Sequence, residues 1–204
     1  MTDQPRRYQM TRRAESQQET RRRITESAVA LHGTLGPSRT SISAVAEHAG
    51  VRRSTLYRHF PDEAALFDAC TAHWAAANPL PDLEAWSMIE DPDDRLTTAL
   101  SELYAFYGRT EGMLENLFRD EITVPMVRER FAAFRGYFAA AHATLMAGRK
   151  LRGESNRRTQ ASIGHAIAFS TWKSLVREGR LDDATAAALM VALIGTAAQG
   201  PGRR

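Results

Sequence analysis

The twenty residues Ser41–Phe60 (SISAVAEHAGVRRSTLYRHF) concentrate side chains suited to contacting a polyanion. Arg52, Arg53 and Arg58 supply guanidinium donors, while Ser54, Thr55 and Tyr57 supply hydroxyls, the groups that meet phosphates and base edges. At 100° per residue, Leu56 and Phe60 fall on one side of a helix, with Ser54, Thr55, Tyr57 and Arg58 away from them or on the flanks. Arg52 and Arg53 project from its amino end. A helix-turn-helix needs a small residue where its helices cross, a glycine at the turn, and apolar residues locking the second helix on the first. Ala46, Gly50, Val45, Val51 and Leu56 meet those needs in order. The second helix of such a pair lays its outer face in a major groove. Three packed helices with no nucleic acid would show the same framework, so the surrounding sequence matters.

No other chemistry competes with this stretch. His32, His48, His73, His142 and His165 stand at no recognised metal spacing from a carboxylate, so no metal is expected. Cys70 and His73 are three apart on a helix, but a lone cysteine is more often a small buried hydrophobe. There is no glycine-rich phosphate loop, no G-x-S-x-G elbow and no H-E-x-x-H. Neither an enzyme nor a cofactor is expected.

The elements that must position Ser41–Phe60 all read as helix. Residues 1–15 are polar without periodicity and are expected to be a disordered basic arm. From Ser16, the positions Ile24, Ala28, Leu31 and Leu35 form one amphipathic stripe, stopped by Gly36 and Pro37. Pro61 opens a further helix with Asp62 and Glu63 at its positive end. Residues 78–94 hold three prolines and form an irregular connection. Later helices are expected over residues 94–109, 111–120, 124–147, 155–178 and 182–199, making about nine in all with no strand. The fold class is therefore all-α: an N-terminal three-helix helix-turn-helix domain over residues 16–60, then a C-terminal helical bundle over residues 61–200.

Composition agrees. The 204 residues are 43% hydrophobic and 25% charged, as in an ordinary globular chain. No uninterrupted apolar run is long enough for a membrane span, and the N-terminus lacks the apolar core of a secretory signal. One cysteine fits a reducing cytoplasm. The net charge of +3 hides a split, with +6 over residues 1–60 and −3 over the remainder. The front alone suits an anionic partner.

The run GVRRSTLYRHFPDEAALF, preceded by a basic amphipathic helix and ISAVAEHA, closely resembles the DNA-binding domain of the tetracycline-repressor-like (TetR) transcriptional regulators. Thr55–Phe60 holds the family's most characteristic string. The resemblance implies an all-α homodimer binding a pseudopalindromic double-stranded DNA operator, repressing until a small molecule releases it. By position, it implies base reading by Arg53, Ser54 and Tyr57, with Ser43 sometimes sharing that role. Thr55, Arg58, His59, Thr40 and Ser41 match phosphate-contacting positions. Glu63 stands where the family commonly has a phosphate-clamping lysine; Arg21, Arg22 and Arg23 are candidates to compensate.

In the body, Trp86, Tyr104, Tyr107, Met113, Phe118, Phe134, Tyr137 and Phe169 are large for a chain with 33 alanines. With His142 and His165 as polar fixing points, they are candidate linings of an effector cavity, which the resemblance implies. An apolar or aromatic effector suits them, while Arg109, Arg119 and Arg135 leave an anionic one open. The Ala-rich final helix pair offers Ile163, Ile167, Leu189 and Leu193, with Trp172 as anchor, for a four-helix dimer interface. The other reading is a helical small-molecule-binding protein with weakened or lost DNA binding, supported by Glu63 alone.

Overall fold

The apolar stripe of Ile24, Ala28 and Leu31 lies on one long helix in the computed structural model, α1 at Gln4–Thr34. The structure describes residues 4–199, with side chains from residue 12 onward. The helix starts well ahead of Ser16. Gln4 onward, expected as a disordered arm, continues α1, and residues 1–3 of that arm lie outside the described residues. Its Gln, Arg, Glu and Ala residues favour helix. Further along, Arg22 pairs with Glu19 at 2.7 Å and with Glu26 at 2.6 Å. Leu35 falls past the helix end and is 43% exposed.

A 3-10 turn at Pro37–Arg39 leads into α2 (Ile42–His48), α3 (Arg53–His59) and α4 (Glu63–Ala77). Ser41 caps α2, its side-chain oxygen accepting from Ala44 N at 3.1 Å, and Asp62 caps α4 by accepting from Ala65 N at 2.7 Å. Between α2 and α3 the backbone turns through Gly50 at φ 64°, a left-handed conformation that glycine adopts without Cβ strain. These helices belong to a unit formed by residues up to Pro79 together with Gly112–Glu129. Its core joins Ile24 and Ala28 of α1, Val45 and Ala46 of α2, Leu56 and Phe60, and Leu66, Phe67 and Cys70 of α4.

The remaining helices are α5 (Leu83–Ser87), α6 (Pro92–Asp120), α7 (Pro125–Met146), α8 (Gly153–Ala166), α9 (Phe169–Lys173) and α10 (Asp183–Gln199). The described residues thus form ten α-helices rather than about nine, and none is in a strand. The expected break near residue 110 does not occur. A side chain at Gly112 would sit 3.3 Å from the Gly33 carbonyl, so glycine here permits close approach of α6 to α1 instead of ending a helix. Conversely, the single helix expected over residues 155–178 is broken after Ala166. Ala168 is extended, and the carbonyls of Ala166 and Ile167 accept the hydroxyls of Tyr104 (3.0 Å) and Tyr107 (2.5 Å). A π-helical stretch, Ser174–Glu178, follows α9.

The second unit comprises Leu80–Glu111 and the residues from Arg130 on. Tyr107 is central to its core, with Phe169 at 5.4 Å, Trp172 at 5.9 Å and Phe138 at 6.3 Å between ring centroids. The buried Arg95 guanidinium donates to the carbonyls of Ile89, Thr144 and Ala147, tying the start of α6 to the end of α7. α8 packs along α10, where Ala186, Ala187, Met190 and Ile194 are buried.

In the first unit, His32 is 8% exposed, its ring 5.4 Å from Phe67 and its Nδ1 3.5 Å from Cys70 Sγ. Burial lowers the imidazole pKa to about 4, against the attraction of Asp120, and burial pushes the Cys70 thiol up to about 12. Both groups are therefore neutral at pH 7. A histidine held neutral in the fold stabilises it fully above its ordinary value of 6.5, and that share is lost as pH falls toward 4. Denaturant melts of the parent should lose stability across that window, and His32→Leu should flatten the slope. An unchanged slope in the variant would contradict the assignment.

Candidate nucleic-acid interface

Helix α3 has two faces of opposite character. Leu56 and the following Phe60 are fully buried, while Arg52, Arg53, Ser54, Tyr57 and Arg58 are exposed and Thr55 and His59 half-buried. Burying one Leu and one Phe contributes roughly 1.5–3 kcal/mol each, enough to fix which way the outer face points. The Arg53 guanidinium lies 5.9 Å from the Tyr57 ring centroid, one turn along, so these two exposed side chains orient each other.

The preceding residues are held more tightly than their sequence suggests. Thr40 is half-buried and its hydroxyl donates to the Gly36 carbonyl at 2.8 Å, so its proton is already used within the chain. Ser41 keeps its hydroxyl proton for an outside acceptor, because its oxygen accepts the capping bond. Ser43 is exposed on α2. Burial lowers the His59 pKa, and Arg58 and Arg21 lower it further, which favours the neutral imidazole.

Of the arginines expected to compensate for Glu63, two have other partners. Arg21 donates to the His59 carbonyl at 2.5 Å and lies 4.1 Å over the Phe60 ring, fastening α1 to the carboxyl end of α3. Arg22 is paired with Glu19 and Glu26, and Arg23 is exposed. Asp62 and Glu63 are both exposed at the amino end of α4.

The turn leading into α2 is clamped by the last turns of α6, which the sequence did not reveal. Asn116 Nδ2 donates to the carbonyls of His32 (3.0 Å) and Gly33 (2.9 Å). Arg119 donates to the Leu35 carbonyl at 2.9 Å and to Asp120 at 2.8 Å, and buried Asp120 accepts from Ser38 N at 2.9 Å. Burial alone would raise the Asp120 pKa; the bonds from Arg119 and Ser38 outweigh it and the net shift is downward. Gly36 sits against this clamp with φ 93°, where any Cβ would strike the Arg119 and Asp120 side chains. Arg119 is thereby engaged within the chain, not held open for an anionic effector.

The candidate effector residues are not brought together as one set. Met113 and Phe118 fall in the first unit, with Met113 Cε 3.7 Å from where a Cβ on Gly33 would be. The others lie in the second unit, where Trp86, Tyr104, Tyr107 and Phe169 are buried and Phe134 and Tyr137 half-buried. Their polar ends are engaged. Tyr104 and Tyr107 bond backbone carbonyls, Tyr137 donates to Pro81 O at 2.9 Å, and Trp86 Nε1 donates to Glu102 at 2.7 Å. His142 Nε2 lies 2.9 Å from the Gln160 carbonyl, and His165 is exposed beside Thr171.

The interface candidates need correction. Ile163, Ile167 and Trp172 are 0%, 4% and 0% exposed in a single chain, with Trp172 Nε1 bonded to Asp183 at 2.8 Å. They are core, because α8 turns its apolar stripe onto α10 and α9 turns Trp172 toward Tyr107. Only Leu189 and Leu193 of that set are exposed. Cys70 and His73 also diverge, the first buried and the second exposed. Among the described residues, no three His, Cys, Asp or Glu side chains gather as a metal set.

The model of the family described as bacterial regulatory proteins, tetR family, matches residues 24–70, the stretch from the buried stripe of α1 to Cys70. Fifty residues are 44% identical to the HTH-type transcriptional regulator AcrR of Shigella flexneri, covering 24% of this chain and 23% of that protein. The match thus spans about a quarter of the relative's length. In three dimensions the chain is similar to a TetR-like transcriptional regulator from Rhodococcus sp. RHA1, with a TM-score of 0.63 and 20% identity over 89% of this chain and 97% of that one. It is also similar to NalD of Pseudomonas aeruginosa, the secondary repressor of the MexAB-OprM multidrug efflux pump, with a TM-score of 0.57 and 22% identity over 87% and 95%. At those identities the likeness shows the fold. Over residues 24–70, the helix-turn-helix unit, the chain matches the tetR family of bacterial regulatory proteins.

Proposed function

We propose that this protein is a dimeric transcriptional regulator whose α3 reads double-stranded DNA in the major groove, repressing until a small molecule releases it. The observation that carries DNA reading is the two-faced α3, with five exposed arginine and hydroxyl-bearing residues opposite a fully buried Leu56 and Phe60. Arg53, Ser54, Tyr57 and Ser43 are the base-reading set. Ser41, Thr55, Arg58 and His59 position the phosphates, and Thr40 serves mainly to hold Ser41 in place.

The dimer face is α10, where Leu189 (39%) and Leu193 (51%) stand exposed four residues apart, one helical turn. A second copy presenting the same stripe would cover both and set two reading helices about 34–36 Å apart, matching a pseudopalindromic operator. The effector is apolar or aromatic, the class suited to the aromatic side chains concentrated in the second unit. No described helix is long and apolar enough to cross a membrane. The cytoplasm is the compartment where such a regulator meets DNA.

Glu63 favours the second reading, a small-molecule-binding protein that has lost its operator, because a carboxylate at the start of α4 repels phosphate. A gel shift with the DNA upstream of the protein's own gene separates the two readings.

On a selected operator, Arg53→Ala should cost about 1–3 kcal/mol and relax preference at one base position. Arg58→Ala should weaken all sequences alike and reduce the salt slope by about one unit. Parent-like binding and salt dependence in both variants would sink the assignment. Sedimentation should give a dimer for the parent and a monomer for Leu193→Asp, which would bury an unpaired charge at the interface. A parent that sediments as a monomer at micromolar concentration would rule the interface out.

A further inference from the structure

Between α1, the 3-10 turn, α2, α4 and the start of α7 lies a half-open cleft of about 110 Å³, wholly within the first unit. Its walls are mainly apolar, with Ile42 from behind α2, Leu66 and Phe67 from α4, and Val124 from the residue before Pro125. The lining residues with polar side chains are His32, Thr40 and Glu63. This volume approaches the roughly 150 Å³ of an apolar cavity that takes up benzene, the scale of a single aromatic ring.

We propose that this cleft is a binding site for a small single-ring aromatic amine, its ring against Ile42, Leu66 and Phe67 and its ammonium at the Glu63 carboxylate. Three observations set that chemistry. First, the apolar wall carries an aromatic face, with Phe67 beside the His32 ring at 5.4 Å. Second, Glu63 lies exposed at the mouth, so it can meet a cation without either charge being fully stripped of water. Third, neither interior polar group offers a countercharge to an anion. Thr40 has given its proton to Gly36, and His32, 8% exposed, has Cys70 beside its Nδ1. A carboxylate ligand would meet Glu63 with like charge, and no lysine or arginine lines the cleft.

The site is separate from the effector reading of the second unit and does not depend on DNA binding, so its test uses the full-length protein without DNA. Benzylamine, benzyl alcohol and benzoate are titrated to millimolar concentration while NMR follows the methyl groups of Ile42, Leu66 and Val124. Benzylamine should shift all three, benzyl alcohol should do so more weakly, and benzoate should leave them in place. Glu63→Gln should weaken benzylamine about tenfold, a loss sized for one partly solvated ion pair, with little change for benzyl alcohol. Val124→Phe should fill the cleft and abolish both. The proposal is overturned if benzylamine moves none of the three methyls, if benzoate binds as well as benzylamine, or if Glu63→Gln leaves the benzylamine titration unchanged. Val124→Phe binding benzylamine like the parent would also overturn it. Should Val124→Phe fail to fold, the Glu63→Gln arm alone decides.

Discussion

A carboxylate that is only 2% exposed persists as a charge only where donors replace the water it has lost, and Asp120 has them in Arg119 and the Ser38 amide. The entry of the chain into α2 follows from this group. Ser38 lies in the turn that ends at Thr40; Thr40 bonds back to Gly36; Ser41 then caps α2. Remove the carboxylate and the Ser38 amide and Arg119 lose a partner together. The turn is therefore fixed from α6 as well as by its own Thr40–Gly36 bond. The glycine at position 36 is part of the same constraint, since its positive φ and missing Cβ allow the clamp to close.

The helix-turn-helix was legible in the sequence because its determinants are short-range. Ser41 capping Ala44, Gly50 at the turn, and Leu56 facing Val45 and Ala46 lie within a few turns of one another. Spacing alone reveals such features. The clamp was not legible, since Asn116 and His32 are 84 residues apart and no local pattern links an amide to a carbonyl at that distance. The break after Ala166 has the same origin. Its carbonyls are satisfied by Tyr104 and Tyr107, which are 62 and 60 residues away, so periodicity predicted an unbroken helix.

The last helices mix core and exposed apolar residues that spacing does not separate. Hydrophobicity says that a side chain leaves water but not what covers it. Ile163 and Ile167 face the chain's own helices, and Trp172 is fixed by Asp183, whereas Leu189 and Leu193 on the adjoining helix stay exposed. The same limit applies to the aromatic residues of the second unit. Their size was readable, but the carbonyl partners that make Tyr104, Tyr107 and Tyr137 structural were not.

Charge placement in the first unit then separates side chains that hold the head from side chains that face outward. Arg21 and Arg119 are cations by type, yet each donates to a backbone carbonyl at a helix end, where the aligned peptide dipoles favour positive charge. Arg21 also covers Phe60, so it closes the core at the carboxyl end of α3 as Arg119 closes the end of α1. With those two engaged, the exposed cations on or beside α3 are Arg52, Arg53 and Arg58. Asp62 and Glu63 stand immediately after it on α4. Positive charge is thus gathered at α3 and negative charge at the start of α4, so the two adjoining helices offer opposite signs on neighbouring surface.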